Sequence, residues 1–380
     1  MSLKKGSKLT VNIVDLSRGG SGIAKTKDGY TIFVPYTLTG DVVDIVIVDV
    51  KKRHANARLT KIIEPSPDRQ PPKCNVFTEC GGCHWQHVPY PLQWATKLNG
   101  VHQSLVSTGI NTKLQLQAFP AETIWHYRNR VQMRGINDKL GFYAARSHNI
   151  VPVTECAIAR PEINQALNDI RSQGREYKKE YKVEIEVSDD NSVKLHWNAR
   201  HAAGGFRQVN DEQNRKLINW VSQSLGNSQP VYDLYGGSAN LSWELAKQDI
   251  EVHCVDQSAP QSQQNMQPLT LFFHSEDVLS WLKSRITDLV YRRIPTPSSN
   301  WSAIIDPPRG GMGDDFEDIV SRLEKLSVNS IVLVGCKTDT WARDIAKLQQ
   351  RDWILKSIAV FDFFPHTPHV ESTALLNRFD

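Results

Sequence analysis

Two groups of residues in this 380-residue chain have types and spacing that suit chemistry. The first is Cys336, which follows the aliphatic run Ile331 to Val334 in IVLVGCKTDTWARD, where a buried strand would end. Reactive groups of open α/β sheets sit at such strand ends. The next acidic, imidazole-rich stretch is FPHTPHVE, Phe364 to Glu371, near enough in sequence to return beside the first. A thiol nucleophile with a carboxylate to remove a proton is the chemistry on offer. Alone, such a cysteine also reads as a small buried packing residue. The second group is Cys74-x5-Cys80-x2-Cys83 in KCNVFTECGGCHWQH, with a fourth thiol at Cys156. Several soft ligands converging is what a metal centre needs. Zinc and a [4Fe-4S] cluster both accept four thiolates, so ligand type does not separate them. Gly81 and Gly82 fit the close backbone approach that a cuboidal cluster requires.

Composition limits what can position these groups. Six cysteines are too few for a disulfide scaffold in a chain this long and fit metal or catalysis in a reducing compartment. No apolar run approaches the roughly 18 residues of a membrane span, and MSLKKGSKLT lacks the apolar core of a signal peptide. A cytoplasmic protein, away from membranes and monomeric, is expected. The net charge is only +4, yet residues 1–70 carry 12 Lys and Arg against 7 Asp and Glu, and the basic excess lies entirely in the first 200 residues. One half thus suits a polyanion while the other does something else.

The elements fall into three stretches. Over residues 1–64, alternating apolar runs at Leu9 to Val14, Tyr30 to Val34, Val42 to Val50 and Ala57 to Ile63 are separated by glycine turns. This spacing predicts a closed five-stranded barrel of the OB type, with the basic run Lys51 to His54 placed for phosphates. A stiff, proline-rich linker, Ser66 to Pro72, opens a second stretch over 65–203. There HYRNR, with Arg128 and Arg130, interleaves cations and aromatics as single-stranded RNA binders do. From residue 204, strand-like and helical patterns alternate as in a doubly wound sheet. VYDLYGGSAN gives a strand and a glycine turn, and Asp256 ends the next strand, about 20 residues on, where it can meet ribose hydroxyls. AIIDPPRGG sets Asp306 at a strand exit held extended by prolines.

Taken in order, SRGGSGIAK with FVP resembles a TRAM domain, and C-x5-C-G-G-C, HWQH, VPVTEC, DPPR, GCKTDTWARD and FPHTPHVES resemble the iron-sulfur branch of the RNA uracil-5-methyltransferases. The resemblance covers nearly the whole chain. It implies a multidomain α/β chain: a TRAM barrel over 1–64, a central α+β iron-sulfur domain over 65–203, and a Rossmann-like methyltransferase domain over 204–380. It implies a [4Fe-4S] cluster on Cys74, Cys80, Cys83 and Cys156. Gln208 in GGFRQVN, Tyr235, Asn240, Asp256, Glu276 and Asp306 match contacts to S-adenosylmethionine. Cys336 matches the nucleophile and Glu371 the general base, for methylation of uracil C5 in structured RNA. Ribosomal RNA is expected from the presence of both barrel and cluster; transfer RNA, or an RNA-binding protein that has lost catalysis, are the alternatives. The chain departs from the family at Ala239, where a second glycine is usual, at Gly335, where serine is usual, and at Lys337-Thr338, where Asn-Pro is usual. Lys337 could lower the thiol pKa. Cys254 has no such context and is expected in the core.

Overall fold

The structure is a computed structural model that describes residues 3–110, 116–199, 207–226, 229–260, 266–294 and 300–378. The boundary expected at residues 203 and 204, with Gly204 to Phe206 of the glutamine motif, lies outside the described residues. Two compact units result. One comprises Met1–Asn99, Glu122–His201 and Phe364–Pro368, the other Gly100–Ala121, Ala202–Phe363 and His369–Asp380.

The first unit begins with strands β1 (Lys8–Leu16), β2 (Gly22–Lys25), β3 (Thr31–Val34), β4 (Val42–Val50) and β5 (His54–Glu64), closed as a barrel in the order β1-β2-β3-β5-β4. The two-residue alternation turns Ile13, Ile32, Val34, Val43, Ile45 and Ile47 inward to fill it. The basic run sits at the β4–β5 turn, where Lys51 also pairs with Asp49. The linker is fastened to the barrel through Asp41. That buried carboxylate accepts the Ser66 and Leu38 amides at 2.8 and 2.7 Å and a two-pronged bond from Arg69. Burial would raise its pKa, but the Arg69 and amide bonds hold it below the ordinary range.

Helix α1 (Tyr90–Ser107) and strand β6 (Leu116–Phe119) follow, then β7 (Arg130–Ile136), β8 (Lys139–Tyr143), β9 (Ile150–Pro152), α2 (Pro161–Gly174), β10 (Tyr181–Val187) and β11 (Val193–Trp197). Strands β7 to β11 make an antiparallel sheet, β11-β10-β7-β8-β9, which packs against Ile163, Leu167 and Ile170 of α2. This sheet corrects the expectation for Arg130. Its side chain is buried against Glu186 at 2.5 Å, with Glu184 at 4.0 Å, so it closes a charge in the core instead of meeting phosphates.

The second unit holds α3 (Asp211–Leu225), β12 (Val231–Leu234), α4 (Trp243–Ala246), β13 (Val252–Val255), β14 (Leu271–His274), α5 (Val278–Val290), β15 (Trp301–Ile305), α6 (Phe316–Lys325), β16 (Val328–Gly335), α7 (Thr338–Gln349), β17 (Trp353–Phe361) and β18 (Glu371–Arg378). Its eight-stranded sheet runs β14-β13-β12-β15-β16-β18-β17-β6, parallel from β14 to β16 and antiparallel at β18. β6 pairs with β17 at the far edge, so a strand from within residues 65–203 completes this sheet. Ile331 to Val334 are fully buried; each such side chain contributes roughly 1.5–3 kcal/mol. No described helix is long and apolar enough to cross a membrane.

Candidate active site and cysteine cavity

The sheet order turns a scattered set of residues into a row. Parallel strands end on one edge, and on that edge β14, β13, β12, β15 and β16 are followed by Glu276, Asp256, Tyr235, Asp306 and Cys336. At about 4.8 Å per strand, Asp256 and Cys336 stand roughly 14 Å apart along the edge. The chain runs outward from β12 in one direction to β13 and β14, and in the other to β15 and β16. The switch point, where open sheets bind ligands, therefore lies between Tyr235 and Asp306.

Glu371 joins the row because β18 is antiparallel. The last pair on β16 is Gly335 with Ser372, so one further step sets Cys336 opposite Glu371. Opposite residues of an antiparallel pair point to one face, with Cα atoms about 4.5–5.5 Å apart. Their electrostatics agree. Partial burial pushes the Cys336 thiol up, the Glu371 charge adds to this, and Arg309 opposes it through its charge and a hydrogen bond. Glu371 is 4% exposed, and burial, reinforced by Asp306, raises its pKa well above the ordinary value. Burial and the charge of Asp256 bring Asp306 up to about 7. Lys337 is exposed, and the cation acting on the thiol is Arg309, two residues after Pro307 in a motif whose arginine carried no expectation of its own.

The loop after β12 is built for close approach. Tyr235, Gly237 and Ala239 have φ of 62°, 57° and 62°, the left-handed region. A Cβ at Gly236 would stand 2.6 Å from the Asp233 carboxyl and 2.7 Å from Cys254 Sγ, so only glycine fits there. Cys254 is buried as expected. The Gly237 amide donates to Asp256 at 3.3 Å, and Ser258 donates to the same carboxylate through its amide and hydroxyl. Below the loop, Asp233 accepts the Ser242 hydroxyl at 2.5 Å; burial pushes its pKa up to about 7. Asn240 exchanges two 2.9 Å amide bonds with Asn214 of α3. Gln208 is buried just ahead of Asn210, which caps α3 by accepting the Gln213 amide. Glu276 is exposed beyond the edge strand β14.

The departure at Gly335 has a steric counterpart. A Cβ there would lie 2.8 Å from Cβ and 2.9 Å from Cδ1 of Trp341, whose indole N–H is fixed to the Leu333 carbonyl at 3.1 Å. Trp341 is 2% exposed, so glycine at 335 and tryptophan at 341 are one packing solution.

In the first unit, Cys74, Cys80, Cys83 and Cys156 line a cavity of about 210 Å³ together with Gly82, Gln86 and Arg128. Burial and the neighbouring thiols push Cys80 up to about 11 and Cys83 up to about 12. Gln86 receives the Cys74 amide at 3.0 Å and bonds the Cys83 thiol; Asn164 receives the Cys156 amide at 2.8 Å and donates to its carbonyl. Arg128 faces this cavity and donates to the Arg130 carbonyl. Only Gly82 of the glycine pair lines the cavity. The Cβ position of Gly81 is filled by the backbone of Tyr143 and Ala145, at 3.1 Å. Among the described residues, no three His, Cys, Asp or Glu side chains stand close enough to hold one metal ion. The four thiols line one space.

Comparison with known proteins completes the picture. Residues 2–60 match the model of the TRAM domain, and residues 291–379 match that of tRNA (Uracil-5-)-methyltransferase. The chain is 27% identical to an uncharacterized RNA methyltransferase of Bdellovibrio bacteriovorus, over 98% of this chain and 95% of the relative. It is also 27% identical to 23S rRNA (uracil(1939)-C(5))-methyltransferase RlmD of Pectobacterium atrosepticum, over 97% and 93%. It shares the fold of Pyrococcus abyssi tRNA (uracil-54, C5)-methyltransferase, solved with S-adenosyl-L-homocysteine, at a TM-score of 0.66 and 21% identity over 97% of this chain and 99% of that one. With barrel, methyltransferase fold and late motifs in agreement, the chain is similar over nearly its whole length to RNA methyltransferases, the RNA uracil-5-methyltransferases among them.

Proposed function

We propose that the protein methylates C5 of a uridine in RNA through a covalent adduct on Cys336, with Glu371 as the base. The observation that carries this reading is the strand register that sets the two side chains opposite each other beside Asp306 and Arg309. C5 of uracil is too weak a nucleophile to be alkylated directly. The Cys336 thiolate forms a bond to C6, and the C5–C6 π pair moves toward C5 and the O4 carbonyl. S-adenosylmethionine, when bound, supplies the electrophilic methyl group that C5 then takes. Glu371 removes the C5 proton, the C–H pair re-forms the double bond, and the C6–S bond breaks to return the thiolate. Arg309 favours the thiolate and Asp306 keeps the carboxyl of Glu371 basic.

Tyr235, Asn240, Asp256 and Asp306, flanking the switch point, would hold the methyl donor, with Asp256 taking its ribose hydroxyls. Gln208 would close the site from the segment just ahead of α3, and Glu276 would meet the far end of the adenosine from the loop after β14. We further assign residues 1–64 to RNA binding, 65–203 to the cysteine centre and 204–380 to methyl transfer. Ribosomal RNA is the favoured substrate, because the RlmD relatives are named for 23S rRNA and align over almost the whole chain; transfer RNA is the second reading, from the matched family model.

Four thiols lining one cavity supply the one thiolate per iron that a [4Fe-4S] cluster takes. Cys74, Cys80, Cys83 and Cys156 would hold such a [4Fe-4S] cluster and brace the central sheet against the cysteine loop.

Labelled methyl transfer to ribosomal and transfer RNA tests the reaction. Incorporation by the wild-type protein and none by Cys336→Ala is expected; incorporation that persists in Cys336→Ala refutes the nucleophile.

A further inference from the structure

The motif that follows the nucleophile, TDTWARD, has no part in the chemistry just described, yet three of its side chains grip the loop that carries Arg309. On α7, Thr340, Arg343 and Asp344 share one helix face. The Thr340 hydroxyl donates to the Arg309 carbonyl at 3.0 Å. Arg343 Nη2 donates to the Gly310 carbonyl at 2.9 Å. Asp344, 1% exposed, accepts the Met312 amide at 2.9 Å and both Nε and Nη2 of Arg343, at 2.9 and 2.8 Å.

The loop is shaped to receive them. Gly311 has φ of 72°, and a Cβ there would lie 2.2 Å from Asp344 Oδ2 and 2.6 Å from Arg343 Nη2. Between loop and helix only about 10 Å³ of free space remains, walled by Pro307, Pro308 and Arg309 on one side and by Cys336, Thr340 and Trp341 on the other. Arg309 is itself exposed, and a free arginine on a glycine-rich loop samples many rotamers at a large entropic penalty. Here its backbone is tied to the helix that starts beside Cys336.

We propose that Thr340, Arg343 and Asp344 are positioning residues that hold Arg309 against the Cys336 sulfur. They set the thiolate population through Arg309 and touch neither substrate nor cofactor. The functional meaning of this clamp rests on the thiol mechanism above, but its physical test does not. Alkylation of Cys336 by iodoacetamide across a pH series, followed by mass spectrometry of its peptide, reads the thiolate fraction without RNA or methyl donor. Three groups besides the clamp act on that sulfur: Glu371 from β18, Asp306 after β15, and Arg309 itself.

Arg309→Met is expected to slow alkylation about fivefold below the thiol pKa and to move the profile to higher pH. Asp344→Ala reproduces most of this change, with Arg309 still present. The double variant Arg309→Met/Asp344→Ala is no slower than Arg309→Met alone, because Asp344 acts through Arg309. A wild-type profile in Asp344→Ala, or a double variant slowed by the product of the single effects, overturns the proposal. Should Asp344→Ala not fold by circular dichroism, Thr340→Val removes the hydroxyl shared between the Arg309 and Lys337 carbonyls and carries the same test, again in the double variant with Arg309→Met. Methyl transfer that persists in Cys336→Ala would sink the mechanism while leaving this cycle intact, so the two failures are distinguishable.

Discussion

Replacing Glu371 by Gln should change the chemistry of Cys336 in a way that depends on pH. Burial and Asp306 raise the Glu371 pKa, so at low pH the wild-type carboxyl is neutral and glutamine mimics it. Alkylation rates at Cys336 should then be equal in the two proteins. As pH rises through the Glu371 pKa, the wild-type acid becomes negative and holds back the thiolate beside it, whereas glutamine does not. A unit charge about 5 Å away at an effective dielectric of about 20 is worth roughly 3 kcal/mol. Solvent at the half-open thiol lowers this toward about 1 kcal/mol. The variant should thus react about fivefold to a hundredfold faster at high pH, with the crossover marking the titration of Glu371. Methyl transfer should move the opposite way, falling about 10²–10⁴-fold as a general base is lost. A rate ratio that stays at one from pH 6 to 10, on the order of the whole accessible range of the thiol, would refute the contact inferred from the register.

Other expectations follow from the packing and the charges. Gly335→Ser should lower stability by about 1–3 kcal/mol, because its Cβ meets the fixed Trp341 ring; an unchanged melting temperature contradicts this. Arg130→Met leaves Glu186 and Glu184 buried without their partner and should destabilise by about 3–5 kcal/mol in urea titrations. A variant of normal stability with weakened RNA binding would restore Arg130 to the RNA surface. Cys83→Ser should lose iron and acid-labile sulfide when prepared anaerobically, and wild-type protein loaded with zinc alone would count against the cluster. Asp233 and Asp306, at about 7 in the folded chain against 3.8, bind protons that the unfolded chain releases, so this pair lowers stability as pH rises from about 4 to 7, against the rise contributed by His87, His274 and His366, which burial holds at about 4. Chemical denaturation of the wild type and of Asp233→Asn at about pH 5 and about pH 8 reads the sign of the carboxyl contribution as the difference between the two proteins.

Much of the site was legible because local pattern and strand order do most of the placing. The aliphatic run Ile331 to Val334 announces a central strand, and Cys336 at its end follows without tertiary information. Glu371 needed the reversed strand β18, whose direction no local pattern reports. Arg309 stands within DPPR, a motif whose local pattern gives no sign that this arginine acts on the thiol. That depends on Thr340, Arg343 and Asp344, thirty or more residues later. The same blindness to long-range partners misplaced Arg130: the cations and aromatics of HYRNR, which runs into β7, look like an RNA face until Glu184 and Glu186 arrive from β10. The departure at Gly335 became intelligible only with Trp341 beside it. In the barrel, four of the strands showed in the alternation, while the four-residue β2 lay inside a run dominated by glycine.

The covalent step is tested most directly with RNA in which the target uridine is replaced by 5-fluorouridine. Fluorine at C5 cannot be removed as a proton, so an adduct that has accepted a methyl group has no exit by elimination. Protein mixed with this RNA and S-adenosylmethionine, then denatured and digested, should yield a peptide in which Cys336 carries a methylated fluorouridine at C6. A wild-type protein that methylates ordinary RNA yet leaves Cys336 unmodified in this experiment, or carries the nucleotide on another residue, contradicts the account.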